Sequence, residues 1–209
     1  MLTLHRATLL LPAPADLTAP PIADGAVVVQ GDRIAGLGPY RELAAAFPAA
    51  RTREWGGLLT PGLRNLYGHW LLECAYHPDP REEIGSEPLH GPELARLGLD
   101  DVRWGASARR GLQRMLGHGV TAVAGPFERA SVRTAVTRSG LLALPGDGAR
   151  GPLDPLGAES GLPLAEAAHG SLTIGGRADL TLLELDADGS RTGGCLATVL
   201  AGRLLHRRR

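Results

Sequence analysis

Apolar residues recur in two rhythms along this chain, and the change of rhythm divides it. Residues 2–11 and 25–30 read as strands, the second carrying the run Ala26-Val27-Val28-Val29, with a proline-rich loop at 12–21 between them. Gly31-Asp32 separates that run from the strand at 33–37. A glycine in the first central position suits a tight turn, so the two strands form a hairpin. Pro39 opens a short helix over 40–47, in which Leu43 and Phe47 recur at i and i+4, and residues 51–55 extend again. From Thr60 the period becomes helical. Ala108, Leu112, Met115 and Leu116 fall at i, i+4, i+7 and i+8, behind Asp100 or Asp101 as cap and ahead of Gly117 or Gly119 as stop. The apolar run 120–124 predicts a strand buried on both faces. A helix over 127–138, stopped by Gly140, and a strand over 141–144 follow it. This alternation is βαβ and predicts a parallel sheet. A glycine- and proline-rich loop spans 145–163. Strands return at 178–185 and 193–205, around a turn at 186–194, and there is no internal repeat.

Composition narrows the function classes. The 209 residues suffice for one domain or two small ones at ~150 residues per domain. Twenty-two basic residues balance twenty-two acidic ones, so no basic field exists to condense onto phosphate backbones, and nucleic acid is not an expected partner. All of the basic residues are arginine. The absence of lysine excludes a P-loop lysine, a lysine Schiff base and a carbamylated lysine bridging two metals. Cys74 and Cys195 lie far apart among small and apolar neighbours, which fits a reduced, cytoplasmic protein better than a disulfide scaffold. No apolar run approaches the ~18 residues of a membrane span, and the first twelve residues lack a basic head before a hydrophobic stretch. No membrane association is expected.

Two stretches carry a family resemblance. Arg33-Ile34-Ala35-Gly36-Leu37-Gly38 with Gly56-Gly57-Leu58-Leu59-Thr60-Pro61-Gly62-Leu63-Arg64-Asn65-Leu66-Tyr67-Gly68-His69 resembles the entry of the amidohydrolase superfamily. Gly170-Ser171-Leu172-Thr173-Ile174-Gly175-Gly176-Arg177-Ala178-Asp179-Leu180-Thr181-Leu182-Leu183, followed by Val199-Leu200-Ala201-Gly202-Arg203-Leu204-Leu205, is similar to that superfamily's closing segment. Within the superfamily the resemblance is to the imidazolonepropionases and aminodeoxyfutalosine deaminases, and it covers roughly residues 1–75 and 105–209. It implies an α/β fold in which residues 1–60 and 165–209 form one composite β-sandwich domain. Residues 61–164 are then a truncated (β/α) barrel-like layer of about three βα units.

In that family a His-x-His after the first barrel strand holds a catalytic zinc or iron whose bound water attacks the substrate. On an extended segment both imidazoles project to one side, because side chains repeat with period two. Here the pair reads Tyr67-Gly68-His69. Tyr67 replaces the first ligand, and a phenol titrates near ~10. His69 alone remains. A complete barrel needs ~200 to 250 residues, whereas about 90 lie between Pro61 and Arg150. The family's later ligands would fall in the missing part. Asp147 and Asp154 sit in the glycine- and proline-rich loop and read as turn residues.

Other candidates have bland readings. The segment with His77, Asp79, Glu82, Glu83, Glu87 and His90 suits a solvated loop. Gly146 to Gly151 satisfies GxGxxG, yet Pro152 and Pro155 forbid the helix a dinucleotide site requires. Arg207, Arg208 and Arg209 read as a solubilising tail. No GxSxG is present, and Ser107, Ser131 and Ser139 lie on or beside predicted helices without a nearby histidine. The expected function is that of an amidohydrolase-derived protein lacking the catalytic metal centre, with a binding or regulatory role and a small molecule as ligand. Two alternatives stand beside it: a metal-dependent hydrolase of non-peptide C–N bonds with a rebuilt site, and a structural partner completing another chain's barrel. A truncated layer leaves an open strand edge, which a homodimer or a partner chain would cover.

Overall fold

The computed structural model describes residues 2–153, 162–186 and 191–208, those at 191–193 in their backbone only. In chain order the elements are β1 (Leu2–Leu10), β2 (Ile22–Gln30), β3 (Arg33–Pro39), α1 (Tyr40–Ala46), β4 (Arg51–Pro61), β5 (Leu63–Asn65), α2 (Gly68–Glu73) and β6 (Ala75–Tyr76). A 3₁₀ turn at Pro80–Glu82 leads to β7 (Leu89–His90), α3 (Gly91–Ala95), α4 (Asp101–Gly117), β8 (Val120–Ala124), α5 (Ala130–Ser139) and β9 (Leu142–Leu144). The chain closes with α6 (Leu164–Ala167), β10 (Leu180–Leu185), β11 (Arg191–Leu200) and β12 (Arg203–Arg207). Two compact units result, one of residues 1–63, 117–121 and 162–209, the other of 64–116 and 122–161.

The first unit is built on a seven-stranded sheet in the order β12-β11-β10-β4-β1-β2-β3. Its middle strand, β4, runs parallel to β1 (Thr3 opposite Arg51, Leu10 opposite Leu59) and antiparallel to β10 (Leu182 opposite Leu59). Strands from early and late sequence thus share one neighbour. The β2–β3 hairpin turns where the pattern predicted, between Gln30 and Arg33, with Gly31 at φ +63°. Alternation then sorts the side chains: Val27 and Val29 join Leu10, Leu59, Leu180 and Val199 in one apolar cluster, while Ala26 and Val28 face Leu4 and Leu43 in another. Each fully buried Val or Leu contributes roughly 1.5–3 kcal/mol. The strands from which the resemblance implied a sandwich are joined in one hydrogen-bonded sheet that rolls on itself. Its roll is fastened where Ile34 N–H donates to Gly176 O (2.9 Å) and Ala178 N–H to Asp32 O (2.8 Å). At the same place a Cβ on Gly202 would overlap Gly31 O, so the two hairpin turns touch. β4 also extends past residue 55 to Pro61, because Gly57 lets the Leu183 carbonyl approach where any Cβ would overlap it.

A smaller, three-stranded sheet has the order β5-β8-β9. β8 and β9 are parallel, Ala122 opposite Leu142 and Ala124 opposite Leu144, with α5 as the crossover. β8 is buried throughout, as its apolar run predicts. α4 presents Ala108, Leu112 and Met115 to the core, and Asp100 caps it by accepting Arg103 N–H at 2.8 Å. Three expectations fail here, each because a polar side chain takes over the backbone. Residues 127–129 are not helical: the Arg129 N–H is held by Glu73 Oε1 at 2.8 Å, and the Arg133 guanidinium occupies the carbonyls of Phe127 and Glu128. The segment from Tyr67 to His69 is not extended. Asn65 Oδ1 accepts Tyr67 N–H at 2.8 Å and turns the chain into α2, so His69 sits in a helix and the period-two argument does not apply. The third fails only at its start: the loop expected from His77 to His90 is exposed over most of residues 79–87, but His77 itself is buried. Ser107 Oγ accepts His77 N–H and Arg110 Nε donates to His77 O, both at 2.8 Å. Among the described residues, no helix is long and apolar enough to cross a membrane.

Candidate functional site

The second unit holds a cleft of about 470 Å³. α2 supplies its floor. His69 and Glu73, and beside them Trp70 and Cys74, are i, i+4 pairs, so the turn made by Asn65 brings all four to one side. The remaining wall comes from α3 through Leu94 and Ala95, from α4 through Trp104, from Arg129 at the start of α5, and from the loop residues Gly148 and Arg150. The Arg150 guanidinium lies 4.4 Å from the Trp70 ring centroid, and that of Arg129 lies 4.4 Å from the Trp104 centroid.

His69 Nδ1 is 3.0 Å from Pro126 O and 3.6 Å from Glu73 Oε2, while Nε2 is 3.6 Å from Cys74 Sγ. A carbonyl beside Nδ1 assigns the proton to that nitrogen, leaving Nε2 to accept from the thiol. Burial pushes the Cys74 thiol up, and Glu73 adds to this, against the opposing charges of Arg129 and Arg150. It is therefore a neutral thiol at pH 7. Two guanidinium groups, of Arg129 and Arg150, stand against the single Glu73 carboxylate in the cleft wall. The Trp70 indole N–H is buried without an acceptor among the described residues.

Of the two residues expected at a metal, only His69 reaches this cleft. The Tyr67 ring packs beneath Gly151, where any Cβ would overlap it, and does not line the space. Among the described residues, no three His, Cys, Asp or Glu side chains are placed to share an ion. Both ring nitrogens of His69 already face protein groups. The zinc or iron that the resemblance implies finds no matching donor set in these residues.

The other candidates are spread elsewhere. Asp147 accepts Ala149 N–H at 2.9 Å, a turn as expected, whereas Asp154 lies outside the described residues. His77 is buried with Nε2 2.9 Å from Leu71 O, and burial lowers its pKa to about 4. Burial alone would raise Glu82. Hydrogen bonds from Tyr76 Oη, Asp79 N–H and Arg103 pull it below the ordinary carboxylate range instead. Asp79 caps the 3₁₀ turn, Glu83 ends it in the left-handed region, and His90 precedes α3. Ser107 serves the His77 backbone, Ser131 faces Asp101 at 3.4 Å, and Ser139 donates to Val136 O. The terminal arginines are not a free tail: β12 carries Arg207 over the Trp55 ring (5.6 Å), and Arg208 pairs with Glu184. Arg209 is outside the described residues. Sequence reasoning missed Trp70, Glu73, Cys74, Trp104, Arg129 and Arg150. The i, i+4 spacing across 69–74 was the available signal.

Comparison with known proteins agrees with the resemblance at the level of class. Residues 25–50, from within β2 through β3 and α1 to the turn before β4, match the imidazolonepropionase-like composite domain of bacteria. The curated imidazolonepropionase of Yersinia pestis (strain Pestoides F) is 32% identical to this chain over 79 residues, 38% of this chain and 18% of that protein. The match thus spans less than a fifth of that relative's length. Among solved structures, E. coli guanine deaminase is similar at TM-score 0.48 and 15% identity, covering 68% of this chain and 35% of that one. Helicobacter pylori aminofutalosine deaminase is similar at TM-score 0.45 and 16% identity, covering 68% and 32%. A. niger ochratoxinase is similar at TM-score 0.46 and 20% identity, covering 69% and 30%.

Proposed function

We propose that this is an amidohydrolase-like chain that has lost the metal centre and that its cleft binds a small molecule in a binding or regulatory role. One observation carries the reading: His69 has Nδ1 on the Pro126 carbonyl and Nε2 on the Cys74 thiol, with Tyr67 turned away beneath Gly151. A lone imidazole engaged on both sides holds a divalent ion poorly. Two free cysteines, Cys74 and Cys195, fit a reducing, cytoplasmic setting. Elemental analysis with a calorimetric zinc titration tests the proposal. No stoichiometric zinc or iron and no tight zinc binding is the expected result. One equivalent bound below micromolar, and lost in His69→Ala, would instead support a hydrolase of non-peptide C–N bonds with a rebuilt site.

A second reading has its own observation. β9 is the last strand of its sheet, with β8 on one side only among the described residues. Such an edge invites strand addition by a second copy or by another chain whose barrel it would complete. Light scattering of the purified protein, alone and with a candidate partner, measures this directly.

A further inference from the structure

We infer that the cleft is a site for a small aryl or heteroaryl oxyanion, a carboxylate or a phosphate ester, held by Arg129 and Arg150. The inference rests on the binding role proposed above and adds the chemistry of the ligand. Its basis is a contrast among the arginines that lie over aromatic rings. Arg6, Arg103 and Arg110 each also reach a carboxylate: Asp24 at 2.6 Å, Glu82 at 2.9 Å and Asp79 at 3.5 Å. Arg129, Arg150 and Arg207 have no such partner among the described residues, and of these three Arg129 and Arg150 line the same cleft. A guanidinium laid on an indole face keeps its N–H edges free for a bidentate oxyanion, and the stacking fixes its plane beforehand. The single lining carboxylate, Glu73, is 4% exposed at its side chain and already accepts the Arg129 N–H, so it competes little for an incoming anion. Leu94, Ala95 and the two tryptophans supply apolar surface for a ring.

Four probes of one shape and different charge test this: benzoate, phenyl phosphate, benzamide and benzamidine. Tryptophan fluorescence reports binding. Alkylation by iodoacetamide, followed by peptide mass spectrometry, reports access to Cys74, with buried Cys195 as internal control. We expect saturable quenching by benzoate or phenyl phosphate, slowed alkylation of Cys74 at saturation, and neither effect with benzamide or benzamidine. The two anions together decide between a carboxylate and a phosphate ester. Arg129→Gln and Arg150→Gln should each weaken the anion by about ten-fold or more. Equal binding of benzoate and benzamide, no saturable binding of either anion, or arginine variants that bind as the parent does would overturn the inference. The probe series on the unaltered protein is decisive even if a variant fails to fold. Zinc analysis on the same samples separates the two proposals: metal-free protein that ignores both anions refutes only the anion site, and tight zinc at His69 with anion binding retained refutes only the loss of the metal centre.

Discussion

In the seven-stranded sheet, backbone groups are met by other backbone, strand beside strand, from Thr3 opposite Val29 to Leu182 opposite Leu59. In the second unit the backbone of the connecting segments is met by side chains: Asn65 holds Tyr67, Ser107 and Arg110 hold His77, Glu73 holds Arg129, and His69 faces Pro126. The first arrangement spreads its hydrogen bonding over many equivalent pairs. The second concentrates it in a few residues, each of which places a loop. The cleft lies in the part built that way, so the groups that shape it are also the groups a single substitution can remove.

The largest effect should come from a charge inside the small sheet. Val123→Asp buries an unpaired carboxylate at a fully buried position and should cost about 4 kcal/mol or more. Hydrogen exchange should then show β8 and β9 exposed while β1 and β2 stay protected. Loss of protection in all four would erase the contrast between the units.

Acid should weaken both units through one buried histidine each. His5 and His77 are held near 4, in each case chiefly by burial and further by nearby arginines. Below pH 6.5 the unfolded chain takes up protons that the folded one refuses, so stability falls as pH drops from about 6.5 towards 4. Between pH 7 and pH 5 this amounts to about 2 kcal/mol per histidine. Urea titrations at the two pH values should show it, with the pH dependence reduced in His5→Gln for the sheet and in His77→Gln for the second unit.

Glu73→Ala leaves the Arg129 N–H without its acceptor and should cost about 1–2 kcal/mol, read as a lower melting temperature. The smallest effect should follow from Arg150→Gln and Arg207→Gln, which each remove a cation from a tryptophan face, one in each unit. Both should shift stability by about 0.5–1 kcal/mol or less. Only the first should change anion binding.

How much could be read beforehand follows from the same contrast. The β2–β3 hairpin and the buried strand β8 were legible because alternation and unbroken apolar runs state their burial directly. The helical stripe of α4 was legible for the same reason. α2 was not: a hydrogen bond from the Asn65 side chain decides it, and no periodicity records such a bond. The sequence singles out His69 but places it on a strand, and it hides Arg150 in a loop that reads only as glycine-rich punctuation. Once α2 is known to be a helix, the spacing of His69, Trp70, Glu73 and Cys74 follows at once.

The position of β4 between β1 and β10 also sets a timetable for synthesis. About 120 residues separate Pro61 from Leu180, and at roughly 5–20 residues per second a ribosome needs about 6–24 s to translate them. Throughout that interval the nascent chain can pair β4 with β1 but leaves its other edge, and the apolar Leu59 beside it, without a neighbour. A chaperone that shields bare strand edges would meet this protein there. A message truncated before codon 180 would yield a product whose central strand stays open on that side.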